Sequence, residues 1–191
     1  MKTMFILAHF DDETFGLSGY IQHLKSINNE IYILYLCKGR DDANHKKRLN
    51  IIKQINTDIN FNYLNYYDLT LFSSDMSKIS SKIRDEIRKN KPQRIVTHCQ
   101  EDLHQDHVFT SNCVRIALKR IESTSIDELL EFKSPENYPF KSVYFDSVYN
   151  LSPNEIEIKE KNVKLFKETE NVPKIYTKEF FRTIYRKLKW R

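Results

Sequence analysis

The sequence predicts an α/β fold, a three-layer Rossmann-like arrangement with a mostly parallel central sheet of about five strands. Three observations carry this. Strand-like and helix-like segments alternate from the N-terminus to about residue 121. The strand-like runs at 3–8 and 30–37 are almost continuously apolar, as strands covered on both faces must be. The segments between the strands are amphipathic, so each can cover one sheet face through a right-handed crossover.

Each element has its own local reason. Met4-Phe5-Ile6-Leu7 opens the first strand, and the helix expected over 13–28 begins at the acids that follow it. The run Ile31-Tyr32-Ile33-Leu34-Tyr35-Leu36-Cys37 forms the second strand; a helix at 43–55 and a strand at 60–66 come next. Over 75–90, Met76, Ile79, Ile83 and Ile87 recur at three- and four-residue steps with Lys and Arg between them, and Pro92 stops that helix. A strand at 94–98 leads to a helix at 107–121, whose apolar face holds Val108, Cys113, Ile116, Ala117 and Leu118. Beyond Ile121 the regularity weakens. Residues 123–140 read as a loop with a short helical turn at 126–132, and 142–149 alternates like a fifth strand. A charged helix at 154–169 and a basic helix at 177–190 close the chain. There is no internal repeat, low-complexity stretch or linker, so residues 1–191 are expected to form one domain, with a core at 1–122 and a C-terminal part at 123–191.

At 191 residues and 40% hydrophobic content, the chain can bury one good core. Three glycines are too few for a Gly-rich phosphate loop or a dinucleotide fingerprint. Cys37, Cys99 and Cys113 form no CxxC pair and are expected to be reduced, buried thiols of a cytoplasmic protein, without a part in zinc binding. The apolar run before His9 is too short for a signal peptide, and no segment reaches the ~18 apolar residues needed to span a bilayer. The net charge of +5 is matched by the segment 178–191 alone, where six Lys/Arg stand against one Glu. Read as a helix, 177–191 combines Phe180, Phe181, Ile184, Tyr185, Leu188 and Trp190 with four basic residues, a pattern suited to an anionic membrane surface or an acidic partner. The alternative is a terminal helix packed on the domain with its bases in water. No specific nucleic-acid partner is expected, and the oligomeric state is open.

The chemistry concentrates where strands hand over to helices. Ala8-His9-Phe10-Asp11-Asp12-Glu13 follows the first strand, at the edge where open α/β sheets bind ligands. His at i and Asp at i+3 can fold back onto one ion; acids here can equally cap a helix. The second cluster, Glu101-Asp102-Leu103-His104-Gln105-Asp106-His107, follows the strand at 94–98, so that His98, His104 and His107 fall within ten residues of a chain with six histidines. If the two strands are parallel neighbours, both clusters reach the same rim and can share one metal.

These segments resemble the PIG-L/LmbE-like family of zinc-dependent N-acetylglucosaminyl deacetylases. The first is similar to that family's Ala-His-Pro-Asp-Asp-Glu motif, with Phe10 in place of Pro, and His104-Gln105-Asp106-His107 is similar to its His-x-Asp-His motif. The resemblance is best over 3–16 and 94–117 and loosens beyond about residue 120, which makes 123–191 the divergent part. It implies one Zn2+, or another divalent transition metal, held by His9, Asp12 and His107. Such an ion polarises an amide carbonyl and brings bound water to a pKa of roughly 7. By the same resemblance Asp11 is the general base, His104 donates to the developing oxyanion, and Asp106 and Asp102 orient histidine rings.

The resemblance also offers substrate contacts. Arg48 takes the approximate place of a substrate-binding arginine, although Ile51 stands where the family has an acid; the alternative is a solvated basic helix face. Apart from the resemblance, Asp68 lies beyond the third strand on the same rim, where it would accept hydrogen bonds from sugar hydroxyls, with Tyr67 or Phe72 stacking on a sugar face. His98 is expected to make a structural hydrogen bond, His23 and His45 to lie at the surface, Asp41 and Asp42 to be solvated, and Glu13 to bond free amides at the helix start. The implied activity is removal of the N-acetyl group from an N-acetylglucosamine-type sugar or conjugate, a carbon–nitrogen hydrolysis of a linear amide. The alternatives are an amidase for another N-acyl compound (a thiol conjugate, antibiotic precursor or modified nucleoside) and a non-catalytic sugar- or partner-binding module.

Overall fold

The computed structural model describes residues 1–121, 126–134, 147–168 and 182–188. In chain order the elements are β1 (Lys2–Leu7), a π-helical turn (Glu13–Leu17) running into α1 (Ser18–Ser26), β2 (Glu30–Cys37), α2 (Asp42–Ile55) and β3 (Asn60–Tyr66). A 3-10 turn (Leu71–Ser73), α3 (Met76–Asn90), β4 (Arg94–His98), α4 (Gln105–Lys119) and β5 (Glu128–Phe132) follow. The last are β6 (Ser147–Asn150), α5 (Pro153–Lys167) and β7 (Arg182–Leu188).

The strands form one sheet in the order β3-β2-β1-β4-β5-β7-β6. β1 to β5 are mutually parallel, and β7 joins antiparallel between β5 and β6. The α/β fold with a parallel five-strand centre is therefore as the alternation predicts. From β1 the chain first winds towards β2 and β3, then returns to place β4 on the other side of β1. Strand order reverses between β1 and β4, and such a switch point opens a crevice at the strands' carboxyl ends. Phe5 is level with Val96 and Ile6 with Thr97, so the motifs after Leu7 and after His98 leave the sheet side by side.

Period-two alternation splits the sheet's apolar side chains between two helical layers. Met4, Ile6, Leu34, Leu36 and Ile95 pack with Ile79, Ile83 and Ile87 of α3 and with Cys113, Val114 and Ala117 of α4. Phe5, Leu7, Ile33, Tyr35 and Val96 pack with Ile21 and Leu24 of α1, Ile51 and Ile52 of α2, and Phe166 of α5. Met4 to Leu7 are fully buried, as their unbroken apolar run requires. Caps set where the helices start: Asp41 accepts from Asn44 N (2.7 Å), Asp75 from Lys78 N (3.1 Å), and Ser152 with Glu155 forms a capping box. Among the described residues no helix is long and apolar enough to cross a membrane.

Three segments differ from their expected form. Residues 128–132 are a strand, where a loop with a helical turn was expected over 126–132. Two acids interrupt the apolar pattern there, and both are paired: Glu128 accepts from Arg94 Nε at 2.6 Å, and the fully buried Glu131 accepts from Ser111 Oγ at 3.2 Å and Arg115 Nε at 3.1 Å. The strand expected at 142–149 is seen as the shorter β6; residues 142–146 lie outside the described residues. The basic helix expected at 177–190 is in fact β7 over 182–188, the rest of that segment lying outside the described residues. An exposed β5 edge leaves a ladder of backbone groups to satisfy, and Thr183, Ile184 and Tyr185 suit a strand. The amphipathic helix on which a membrane-surface reading rested is therefore not formed over 182–188. The first helix also differs, beginning with the π-helical turn, a form that concentrates at functional sites.

Candidate metal centre

His9 leaves β1 and His107 sits in the first turn of α4, yet His9 Nδ1 and His107 Nε2 are 3.3 Å apart. The carboxylate of Asp12 completes a triangle, with Oδ1 3.2 Å from His107 Nε2 and Oδ2 3.7 Å from His9 Nδ1. Ligands bonded at about 2.0–2.1 Å to a tetrahedral ion stand about 3.3 Å from one another. The two imidazole nitrogens stand at that edge length, the Asp12 carboxylate turns a different oxygen towards each ring, and the chemistry of the donor set fits a divalent transition metal. All three residues are buried.

The outer nitrogens of both rings face carboxylates. His9 Nε2 is 3.0 Å from Asp106 Oδ2, which also accepts from the backbone amide of Leu69 at 2.7 Å. His107 Nδ1 is 3.1 Å from Asp102 Oδ2, and Asp102 Oδ1 accepts from His104 N at 2.9 Å. A carboxylate behind a ligating ring fixes its orientation and raises its basicity. Burial opposes protonation of His107, but Asp12 and Asp102 outweigh it and push the ring up to about 9. Burial likewise opposes charge on Asp12, and His98 and His107 overcome it and hold that carboxyl well below the usual range.

His104 is the N-cap of α4, its Nδ1 accepting from Asp106 N at 3.2 Å. Its ring centroid lies 4.7 Å from that of His9 and 4.6 Å from that of His107. His98, at the end of β4, stacks on His107 with ring centroids 3.9 Å apart. Its Nε2 is 3.1 Å from both Ala8 N and Asp12 Oδ2, so the hydrogen-bonding part expected of it is present. What sequence reasoning missed is its direct contact with His107 and Asp12; its place at the end of a neighbouring strand was the available signal.

Asp11, Arg48 and Asp68 form a second layer of the site. Arg48 Nη2 is 3.4 Å from Asp11 Oδ2 and Arg48 Nη1 is 3.3 Å from Asp68 Oδ2. Arg48 is only 4% exposed, so it does not lie on a solvated helix face. Asp11 is the most open of the acids at this point, with a side chain 23% exposed. Burial raises the pKa of Asp68 despite the charges of His9 and Arg48.

Several lesser expectations are met or corrected. Asp41 and Asp42 are exposed, as expected of solvated acids; Asp41 also caps α2, and Asp42 pairs with Lys38 Nζ at 3.0 Å and accepts from Tyr67 Oη at 2.9 Å. His45 is half-buried, its Nδ1 2.9 Å from the Lys38 carbonyl. His23 is also half-buried and packs on Tyr149. Glu13 is buried, its Oε1 accepts from the Thr14 hydroxyl at 3.3 Å, and burial pushes its carboxyl well up. Phe10, which stands where the resembled motif has proline, is fully buried against Tyr35 and Tyr63. Gly39 has φ +123°, and a Cβ there would meet Asn44 Oδ1 at 2.6 Å, so the turn into α2 requires glycine.

The family model described as GlcNAc-PI de-N-acetylase matches residues 4–118, a span that contains every residue of this site. The chain belongs to the PIG-L family. No curated protein matches it. Solved structures similar to this PIG-L chain include N,N'-diacetylchitobiose deacetylase from Pyrococcus horikoshii, 14% identical with a TM-score of 0.77 over 99% of this chain and 84% of that one. The zinc-inhibited form of teicoplanin deacetylase Orf2 is 12% identical, with a TM-score of 0.74 over 98% and 99% of the two chains. GalB, the 4-carboxy-2-hydroxymuconate hydratase of Pseudomonas putida KT2440, is also 12% identical, with a TM-score of 0.69 over 99% and 97%. At these identities the likeness establishes the PIG-L chain's fold, and the hydratase among them shows that the fold serves more than one reaction.

Proposed function

We propose that this single-domain PIG-L protein is a metal-dependent N-deacetylase that removes the acetyl group from an N-acetylglucosamine-type sugar or conjugate. The observation that carries the reading is the meeting of His9 Nδ1, Asp12 and His107 Nε2 at 3.2–3.7 Å, with Asp11 beside them. These three residues would hold the ion, zinc by the donor chemistry, which when bound activates water and polarises the amide carbonyl.

The chain's own groups supply the rest. Asp11 takes a proton from the attacking water and delivers it to the departing nitrogen, so that water and amide become acetate and amine. Arg48 holds Asp11 from behind. His104 accepts at Nδ1 from the α4 backbone, so its Nε2 carries the proton that it offers to the carbonyl oxygen as negative charge develops. Asp68, with Arg48 on its other oxygen, would take a sugar hydroxyl. Three buried free cysteines suit a reducing, cytoplasmic setting.

Acetate release from a panel of N-acetylated sugars, sugar conjugates and other N-acyl compounds tests the reading. Chelation should abolish release and added zinc should restore it. Release only from non-sugar amides would shift the substrate class, and an inert panel under saturating metal would defeat the enzyme reading.

A further inference from the structure

Cys37 has no part in the reaction described above. It ends β2, where the register against β3 shifts between Tyr35 and Cys37, an irregularity of the kind that re-aims side chains. The thiol is fully buried, with Sγ 3.6 Å from the Tyr67 carbonyl. Cys37 Sγ, a ring nitrogen of His9 and a carboxylate oxygen of Asp68 all lie within 4.8 Å of one another.

Asp68 supplies the second, independent observation. Its side chain is only 8% exposed, and while Oδ2 faces Arg48, Oδ1 is buried without a hydrogen-bond partner among the described residues. A buried carboxylate oxygen lacking a donor is costly, and a cation in reach of it removes that cost. Thiolate, imidazole and carboxylate together are the donors of borderline and soft divalent ions, in contrast to the all-oxygen sets that hold magnesium or calcium.

We propose that His9, Cys37 and Asp68 form a second cation site, selective for zinc, cobalt(II) and cadmium over magnesium. The inference goes beyond amide hydrolysis and does not depend on it. With the first ion on His9 Nδ1, the second takes the ring's other nitrogen, so coordination releases two protons to solvent, one from the Cys37 thiol and one from His9 Nε2, and the ring bridges the two ions as imidazolate. The two donor sets share His9, and the second also takes the Asp68 oxygen assigned above to a sugar hydroxyl. Filling it therefore opposes turnover, so excess thiophilic metal inhibits and excess magnesium does not.

Cobalt(II) titration of the metal-free full chain tests this by absorption. The first equivalent should give ligand-field bands without a thiolate-to-cobalt charge-transfer band, and a second equivalent should add that band in the near ultraviolet. Cys37→Ser should keep the first equivalent and lose the charge-transfer band. Asp68→Asn should keep the band but weaken the second step by at least roughly 10–100-fold, the effect of losing even an outer partner of a metal ligand. No charge-transfer band at any loading, a band that arrives with the first equivalent, or one unchanged in Cys37→Ser overturns the proposal. A chain that passes these tests yet releases no acetate leaves the second site standing and removes only the deacetylase reading.

Discussion

The ring of His104 closes the first turn of the helix that carries His107, with Nδ1 accepting the backbone amide of Asp106 at 3.2 Å. One bond thus does two things. It satisfies an orphan helix amide, and it settles the tautomer, since a neutral ring that accepts at Nδ1 carries its proton on Nε2. Burial, together with His107 and His9, lowers the pKa of His104, so the neutral form is the resting one. His104→Ala should lose about 1 kcal/mol of stability with the cap, and about 10²–10³ in kcat with the donor. His104→Asn should recover the thermal midpoint, because asparagine caps well, without recovering turnover. Full turnover in the Asn variant would reduce the ring to a structural part.

In the proposed reaction Asp11 is the base and not a ligand, so Asp11→Asn would remove the proton acceptor and leave His9, Asp12 and His107 in place. Metal content should remain near that of the parent while acetate release falls by about 10²–10⁴. A variant that loses its metal instead would make Asp11 a ligand.

Arg48 joins two carboxylates, Asp11 and Asp68, at 3.4 and 3.3 Å from inside the domain. Arg48→Met leaves both acids without their counter-charge and should cost about 3 kcal/mol, seen as a lower denaturant midpoint. Arg48→Lys keeps the charge but loses the fork that reaches both acids. It should recover most of the stability while turnover stays depressed. Equal recovery of both would show that charge alone matters.

Two stacked rings give the metal-free protein a defined pH response. His107 is raised to about 9, so between its ordinary value of 6.5 and 9 the folded chain holds a proton that the unfolded chain has lost, and stability falls as pH rises through that window. His98 is lowered to about 4, chiefly by burial and then by His107, so from 6.5 down to 4 the unfolded chain binds a proton that the folded chain refuses, and stability falls with pH. These two contributions together place the stability maximum near pH 6.5. Metal reverses the upper limb. An ion at His107 Nε2 displaces the proton, so affinity should climb about tenfold per pH unit for each proton released, up to about pH 9. Thermal midpoints of the metal-free protein against pH, and calorimetric metal titrations in buffers of different ionisation enthalpy, check both limbs.

Most of the site was readable before the fold because both clusters sit directly after strands whose apolar runs are unambiguous. His9, Asp12 and His107 needed only β1 and β4 to be parallel neighbours, and the register places Ile6 level with Thr97. Arg48 was harder to read. Within Lys46-Lys47-Arg48 nothing distinguishes a buried arginine from a solvated one, and only the path of α2 turns it towards Asp11 and Asp68. Cys37 was expected to take no part in zinc binding because it forms no CxxC pair, and its closeness to His9 and Asp68, which come from other loops, shows only in the fold. The C-terminal third misled for a different reason. Glu128 and Glu131 break the apolar rhythm of β5, and their partners Arg94, Ser111 and Arg115 are distant in sequence.

The insertion of β7 between β5 and β6 bears on how the protein is made. Among the described residues β6 has no partner in the sheet until residues 182–188 have left the ribosome, and one edge of β5 has none for the same interval. During synthesis the nascent chain thus carries a finished parallel half beside an unsealed strand, the kind of surface that chaperones cover and neighbouring chains invade.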